Sequence, residues 1–200
     1  MTAKTEPLFA KVSLMGIGLI GSSIAHAMRR GGVAGYIGGY APDADIVERA
    51  RKVGFADSFS TSAQETVRDA DLVILAAPVG AFGEIAKEIG GNLKAGAIVS
   101  DVGSVKETVL RDVAPHLPSG VNLVPAHPIA GTEQSGPEAG FPELFDGRWC
   151  ILTPPAGADA QAVAKMKAFW ERLGSQVEIM DAKHHDLVLA ITSHVPHLIA

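Results

Sequence analysis

The sequence predicts an α/β protein in which helices cover a doubly wound, mostly parallel sheet. Strand-like and helix-like segments alternate through most of the 200 residues, which is typical of parallel strands joined by crossover helices. A glycine-rich turn at residues 16–21 lies between an apolar run and a helical pattern. Residues 71–76 are almost all apolar, as a strand buried on both faces must be.

The glycine-rich turn has the pattern Gly-x-Gly-x-x-Gly. The first glycine permits a tight turn, the second lets a pyrophosphate approach the backbone, and the third lets the helix pack closely on the strand. The helix start adds unpaired N–H groups and a positive dipole end, which favour an anion. The motif therefore predicts a Rossmann-type dinucleotide site, with a purely structural turn as the alternative. Its predicted contacts are Gly16, Ile17, Gly18, Leu19, Ile20 and Gly21.

Periodicity and turn residues predict the remaining elements. Strands are expected at residues 36–40, near residue 59, and at 71–76, 97–100, 121–126, 149–153 and 177–180. Helices are expected at residues 46–53, 61–69, 81–89 and 160–173, and from Ser104 and Asp181 onward. Ser104 and Glu107 match a capping box, and Gly54 should end the second helix. The long loop at residues 127–147 is a candidate functional segment.

The domain organisation is expected to divide near residue 180. Residues 1–180 should form the dinucleotide-binding domain, and residues 181–200 should begin an α-helical C-terminal domain. The chain ends inside an apolar helical pattern, whose exposed face would require a partner. We therefore expect a fragment of a longer protein, or one from which a second domain has been removed.

Composition limits the classes of partner. A net charge of -5 argues against nucleic acid or an anionic membrane as the main partner, because both attract clustered Lys and Arg. The absence of a secretory signal pattern and of a long apolar run predicts a cytoplasmic protein. The lone Cys150 is expected to be a buried packing residue. No metal site is predicted, because His194 and His197 have no third ligand at suitable spacing.

Open parallel sheets bind ligands beyond the carboxyl ends of their strands. The predicted strand ends supply further candidate cofactor contacts: Ala41, Asp43, Ala77, Pro78, Asp101 and Ser104.

The end of the second strand bears on the choice of cofactor. Ala41 stands where an acid usually binds the adenosine ribose of NAD. Asp43 or Asp45 can take that role or cap the next helix, and the two interpretations remain open. Residues 41–45 hold no arginine for a 2′-phosphate, and carboxylates repel that group. The cofactor is therefore NAD or NADP, with the balance slightly toward NAD.

His127 is the candidate catalytic base. It follows a predicted strand and begins the long loop, and its ordinary pKa of roughly 6.5 suits proton abstraction near neutral pH. A structural histidine is the alternative. The adjacent pair at residues 184 and 185 is expected to be solvated or interfacial, without a chemical role.

Four segments taken together resemble the prephenate and arogenate dehydrogenase family. They are the glycine-rich turn and residues 101–106, 127–136 and 194–197, in the family's order and approximate spacing. The resemblance implies oxidative decarboxylation of a small-molecule substrate, prephenate or arogenate, in tyrosine biosynthesis. It implies that His127 takes the proton of the ring hydroxyl and that Ser104 lies near that hydroxyl and the cofactor.

The resemblance also implies substrate contacts from His194 and His197, and a pocket edge at Thr132 and Glu133. Family members continue into a helical domain that forms a dimer and supplies an arginine for a substrate carboxylate, so a homodimer is expected where that domain is present. Two other functions remain as alternatives. One is another Rossmann-type hydroxyacid or imino-acid dehydrogenase, and the other is a noncatalytic dinucleotide-binding module.

Overall fold

A computed structural model describes residues 6–191 of the chain. The main sheet consists of β1 (Phe9–Met15), β2 (Ala34–Tyr40), β3 (Ser58–Ser60), β4 (Leu72–Leu75), β5 (Ile98–Asp101) and β6 (Asn122–Leu123). Its strand order is β3-β2-β1-β4-β5-β6, and every neighbouring pair is parallel. This is the Rossmann order, with a topological switch point between β1 and β4 where such sheets bind ligands. The predicted fold class is confirmed.

Helices cover both faces of this sheet. They are α1 (Leu19–Gly31), α2 (Ala44–Val53), α3 (Ala63–Val67), α4 (Phe82–Ile89), α5 (Lys106–Val113) and α6 (Ala160–Arg172). A further helix, α7 (Ala182–Leu189), packs against α5. Buried side chains of α1, α2 and α6 form one core, and those of α3, α4 and α5 form another. Strand β4 serves both, because Leu72 and Ile74 face the first core and Val73 and Leu75 face the second.

A second, three-stranded sheet follows the main one. It consists of β7 (Ala126–Pro128), β8 (Trp149–Leu152) and β9 (Gln176–Ile179). Strand β8 pairs antiparallel with β7 and parallel with β9. The prediction of one strand over residues 121–126 was wrong, because the chain changes sheets there. Val124 still donates its N–H to Val99 in the main sheet, whereas the carbonyl of Pro125 accepts from Thr153 beside β8. Pro125 has no N–H to continue the first ladder.

Most other predicted boundaries agree with the structure to within two residues. Gly54 ends α2 in the left-handed conformation, with φ of 77°. Asp181 caps α7 by accepting a hydrogen bond of 2.8 Å from the N–H of His184. Cys150 is fully buried, as expected. Within residues 6–191, no helix is long and apolar enough to cross a membrane.

Trp170 anchors the core beneath α6. Its side chain is fully buried and makes edge contacts with Phe145 and Phe169, with ring centroids 5.4 Å apart in both pairs. We expect Trp170→Ala to lower the free energy of unfolding by about 3–5 kcal/mol, because it leaves a large cavity. Trp149 is 50% exposed, so Trp149→Ala is a matched control that should cost less than about 1 kcal/mol. Equal losses in urea unfolding would contradict this prediction.

Candidate active site

The glycine-rich turn has the geometry that its three glycines predict. Gly16 has φ of +119°, and a Cβ there would lie 2.5 Å from the backbone carbon of Ala76. A Cβ on Gly21 would collide with the carbonyl oxygen of Gly16. In contrast, a Cβ on Gly18 would meet no atom within 4 Å. Two glycines thus allow tight packing of β1, β4 and α1, and the remaining one leaves open space beside the backbone.

The start of α1 suits an anionic group. Gly18 is the N-cap, no side chain caps the helix, and the first turn carries no acidic residue. The N–H groups of this turn and the positive end of the helix dipole therefore meet no competing carboxylate there. Together with the space at Gly18, this end of α1 fits a dinucleotide diphosphate.

A cleft of about 600 Å³ opens beside this turn. Its volume is in the range of small-molecule and cofactor sites. Its walls come from the ends of β1, β2 and β4, from α2 and α4, and from the loop after β7. The residues lining it are Gly16, Ile17, Gly18, Tyr40, Ala41, Pro42, Ile46, Arg49, Ala76, Ala77, Pro78, Ala81, Ile85, Ser135, Gly136 and Pro137. The cleft lies at the switch point, where the fold predicts it.

The predicted cofactor residues divide between this cleft and its surroundings. Six of them line it: Gly16, Ile17, Gly18, Ala41, Ala77 and Pro78. Leu19, Ile20 and Gly21 lie in the first turn of α1. Asp43 caps α2 by accepting a 2.8 Å hydrogen bond from the N–H of Asp45, so the capping interpretation holds, and a ribose contact remains a prediction.

Arg49 is a cleft residue that the sequence reasoning missed. Its Nε and Nη2 donate to the two carboxylate oxygens of Glu138, at 2.7 and 2.6 Å. This bidentate ion pair joins α2 to the loop that forms one wall of the cleft. Ile46 and Arg49 are three residues apart and therefore share a helix face, which is a signal that the sequence offered. Glu138 lies 89 positions further along, and no local pattern indicates that pairing.

His127 lies in the middle of β7, opposite Ile151 of β8, rather than in a loop after a parallel strand as expected. Its Nδ1 is 2.9 Å from Nε2 of His185 on α7. His185 is fully buried, and its own Nδ1 is 2.7 Å from Oδ1 of Asp186. The expectation of a solvated pair was wrong for His185, because its ring is buried and contacts His127.

The buried face of α7 explains why His185 points inward. Ala182, His185 and Leu189 are buried and recur at helical spacing, whereas Leu187 and Ile191 are 59% and 63% exposed. Helical spacing counted from the Asp181 cap is the signal in the sequence that indicates this buried face.

Asp186 caps α5 from a distant part of the chain. Its carboxylate accepts hydrogen bonds from the N–H groups of Lys106 and Glu107, at 2.7 and 2.9 Å. The predicted Ser104 capping box was wrong, because Val105 is the N-cap and no residue of its own segment caps the helix through a side chain. Burial alone would raise the pKa of Asp186, but the two N–H donors and His185 outweigh it and lower that pKa.

Asp101 and Lys106 form a fully buried ion pair. The Nζ of Lys106 donates to Oδ2 of Asp101 at 2.5 Å and to the carbonyl of Ala126 at 2.7 Å. The carboxylate also accepts from the N–H groups of Gly103 and Ala126, at 2.7 and 3.2 Å. The Asp101 side chain was predicted to contact a cofactor, but it has no exposed surface. It holds β5, α5 and β7 together instead.

The remaining predicted site residues lie at the surface or outside the described residues. Ser104 is exposed in the bend before α5, and Thr132 and Glu133 are exposed in the loop after β7. The hydroxyl of Thr132 accepts a 3.2 Å hydrogen bond from the N–H of Gln134. His194 and His197 lie outside the described residues, so their predicted substrate contacts remain predictions.

Residues 24–179 match the family model described as "Prephenate dehydrogenase, nucleotide-binding domain". The chain belongs to this family. Cyclohexadienyl dehydrogenase of Zymomonas mobilis is 42% identical over 202 aligned residues, which cover 96% of this chain and 66% of the relative.

Solved structures of this prephenate dehydrogenase family have the same fold. Prephenate dehydrogenase of Aquifex aeolicus, in complex with hydroxyphenyl propionate and NAD+, superimposes with a TM-score of 0.88 at 36% identity. The match covers 95% of this chain and 66% of that one. Arogenate dehydrogenase of Synechocystis has a TM-score of 0.85 at 27% identity, covering 93% of this chain and 65% of that one. The chain thus spans just under two thirds of the length of these proteins.

The buried ion pair gives a testable prediction. Lys106→Met leaves Asp101 buried without its cation, which should cost about 3–5 kcal/mol of unfolding free energy near pH 8. Burial already raises the pKa of Asp101 against the attraction of Lys106. Without the lysine, the folded-state pKa exceeds the unfolded value further, so stability is lost as pH rises through it. The loss relative to wild type should therefore be smaller at pH 5 than at pH 8.

Urea unfolding at the two pH values measures this effect. Adding Asp101→Asn to Lys106→Met removes the unpaired charge. The double variant should therefore recover part of the unfolding free energy, and its loss relative to wild type should be the same at pH 5 and pH 8. A loss that is the same at both pH values in the single variant would contradict the prediction.

Proposed function

We propose that the chain is the dinucleotide-binding part of an NAD(P)-dependent prephenate or arogenate dehydrogenase of tyrosine biosynthesis. The observation that carries the proposal is that a second histidine fixes the ring of His127. His127 is half-buried in a domain of this family, and one of its ring nitrogens is fixed by His185 at 2.9 Å. A histidine oriented in this way by a second group is suited to act as a general base.

The names of the similar proteins support the substrate class. The Zymomonas mobilis relative is a cyclohexadienyl dehydrogenase, the Synechocystis protein is an arogenate dehydrogenase, and the Aquifex aeolicus protein was solved with hydroxyphenyl propionate and NAD+. We propose that this chain acts on the same two substrates, prephenate and arogenate. Prephenate would give 4-hydroxyphenylpyruvate, and arogenate would give tyrosine.

The proposed reaction requires little from the protein beyond a base and oriented substrates. His127 takes the proton of the ring hydroxyl as the C–H bond at the same carbon breaks, the hydride leaves, and a carbonyl forms there. The C–C bond to the ring carboxylate then breaks, carbon dioxide leaves, and the ring becomes aromatic. The proton returns to the phenolic oxygen, so no net proton is released. Restored aromaticity drives the reaction, and orientation alone can lower the barrier by roughly 7–11 kcal/mol.

The residues of the cleft fit a nicotinamide dinucleotide, which when bound would accept the hydride. Gly16, Gly18 and the first turn of α1 would hold its diphosphate, and Ala41 and Asp43 lie where its adenosine ribose would be bound. We propose a slight preference for NAD. Arg49, a cation in the cleft wall, already donates through Nε and Nη2 to the carboxylate of Glu138. The negative charge of Glu138 therefore weakens the attraction of Arg49 for a 2′-phosphate.

The outer residues keep their predicted roles as part of this proposal. Ser104 would contact the substrate hydroxyl and cofactor, Thr132 and Glu133 would form the pocket edge, and His194 and His197 would contact substrate. A homodimer formed through a further helical domain also remains a prediction.

Absorbance of reduced nicotinamide tests the proposal directly. Prephenate and arogenate are each supplied with NAD and with NADP, using this chain and the same chain joined to the remaining third of the Zymomonas mobilis relative. Turnover with either substrate supports the proposal. Cofactor binding without turnover in both proteins would favour the noncatalytic dinucleotide-binding module.

The base role of His127 gives the second test. We expect His127→Asn to lower kcat by about 100-fold or more, because general-base catalysis contributes that much. The dissociation constant for NAD should stay within about twofold, since the dinucleotide cleft is intact. Unchanged turnover would exclude His127 as the base.

The pairing of Arg49 gives the third test. Glu138→Gln removes the carboxylate that compensates the guanidinium, so the affinity for NADP should rise by roughly fivefold at most. Affinity for NAD should change little. Glu143→Gln is the control, because Glu143 is also an exposed partner of an arginine, Arg30. Equal effects of the two variants on NADP binding, measured by fluorescence or calorimetry, would contradict the assignment.

A further inference from the structure

We propose that Asp186 and His185 form a hydrogen-bonded relay that fixes the tautomer of His127, so that Nε2 of His127 is the atom that takes the substrate proton. The relay runs from Oδ1 of Asp186 to Nδ1 of His185, and from Nε2 of His185 to Nδ1 of His127, over 2.7 and 2.9 Å. The catalytic consequence rests on the proposed function, whereas the tautomer itself does not.

The first step is the charge state of Asp186. Its two oxygens accept hydrogen bonds from the N–H groups of Lys106 and Glu107, at the start of α5. Donors of this kind stabilise the ionised carboxylate, and the pKa of Asp186 is lowered despite its partial burial. Asp186 is therefore an acceptor only, in both of these contacts and toward His185.

The second step is the protonation of His185. Because Asp186 only accepts, Nδ1 of His185 must carry a hydrogen. The ring is fully buried, and burial lowers the pKa of His185 against the opposing effect of Asp186. His185 is therefore neutral near pH 7, with its single proton on Nδ1. Its Nε2 is consequently an acceptor.

The third step assigns His127. Since Nε2 of His185 accepts, Nδ1 of His127 must donate across the 2.9 Å contact. Neutral His127 then carries its proton on Nδ1 and a lone pair on Nε2. An orienting group behind a base has this function in other catalytic arrangements, where it sets both the tautomer and the ring angle.

Among the described residues, the other ionisable groups that act on His185 do not change this assignment. Lys106 and Asp101 act on His185 with opposite signs and are paired with each other. Cys150 of β8 is buried, and burial raises the pKa of its thiol well above the ordinary value, so the thiol is neutral. The charge that determines the direction of the relay is therefore that of Asp186.

The relay also stabilises the protonated base. When Nε2 of His127 takes the hydroxyl proton, the substrate O–H bond breaks and an N–H bond forms, while His185 and Asp186 keep their protonation states. The positive charge on His127 then faces a neutral acceptor, with the Asp186 carboxylate behind it. His185 is thus a positioning residue that acts through His127.

Nitrogen-15 NMR of the 200-residue chain tests the tautomer without substrate. Histidine rings are labelled, and two-bond proton–nitrogen correlations distinguish protonated from unprotonated ring nitrogens. The signals of His127 are identified by their absence in His127→Asn. We expect neutral His127 to be protonated at Nδ1 and unprotonated at Nε2. The reverse pattern would overturn the relay.

Substitution of His185 provides a second measurement. In His185→Leu the acceptor is lost, so the pKa of His127, followed by the same signals, should fall by about one unit. His185→Gln retains a carbonyl acceptor and an amide donor and should recover most of that shift. His184→Gln is the matched control, because His184 is the exposed neighbour on the same helix. An unchanged pKa in a folded His185→Leu protein, or equal shifts in the Leu and Gln variants, would overturn the relay.

The two proposals fail in different ways. The expected tautomer with no turnover of prephenate or arogenate would overturn the proposed function and support the relay. Turnover with the proton of His127 on Nε2 would overturn the relay and support the proposed function. If His185→Leu does not fold, the relay is still tested by the tautomer of His127 in the wild-type spectrum and by the pKa of His127 in His185→Gln.

Discussion

The buried pair of Asp101 and Lys106 is the interaction on which the candidate site depends. Burying two ionised groups away from water costs free energy. The cost is offset only if the two groups pair with each other and if their other donors and acceptors also form hydrogen bonds. Here Gly103 and Ala126 donate to the carboxylate, and the carbonyl of Ala126 accepts from the ammonium group. Because Ala126 directly precedes His127, the pair fixes the strand of the candidate base to the end of the main sheet. The second sheet is therefore attached to the first through charge as well as through the apolar core.

Asp186 continues this connection to α7. One carboxylate caps α5 and also lies 2.7 Å from Nδ1 of the buried His185, so the helix cap and the contacts of the candidate base involve the same group. A local serine cap at Ser104 would have satisfied α5 equally well, but it would not have linked that helix to α7. The distant cap brings together residues 80 positions apart and completes the site around His127.

Sequence alone predicted the features that short segments determine. The glycine-rich turn, the apolar strand at β4 and the caps at Gly54 and Asp181 follow from residue type and spacing, and the structure confirms each. The change of sheets at Pro125, the pairing of Arg49 with Glu138 and the cap of α5 by Asp186 depend on contacts between distant segments. His185 is intermediate, since its helical spacing from Ala182 and Leu189 can be recognised in the sequence, but its contact with His127 requires the tertiary fold.

Helix α7 has two faces with different consequences. One face places His185 against His127, and the other exposes Leu187, with Ile191 exposed just beyond the end of the helix. The contacts that α7 makes with the start of α5 and with His127 are 2.7 to 2.9 Å long, so a displacement of the helix by roughly 1 Å would carry them beyond hydrogen-bonding range. Such a shift would release the start of α5 and the imidazole of His127 in a single event. The position of α7 therefore determines two things together, the capping of α5 and the orientation of the His127 ring.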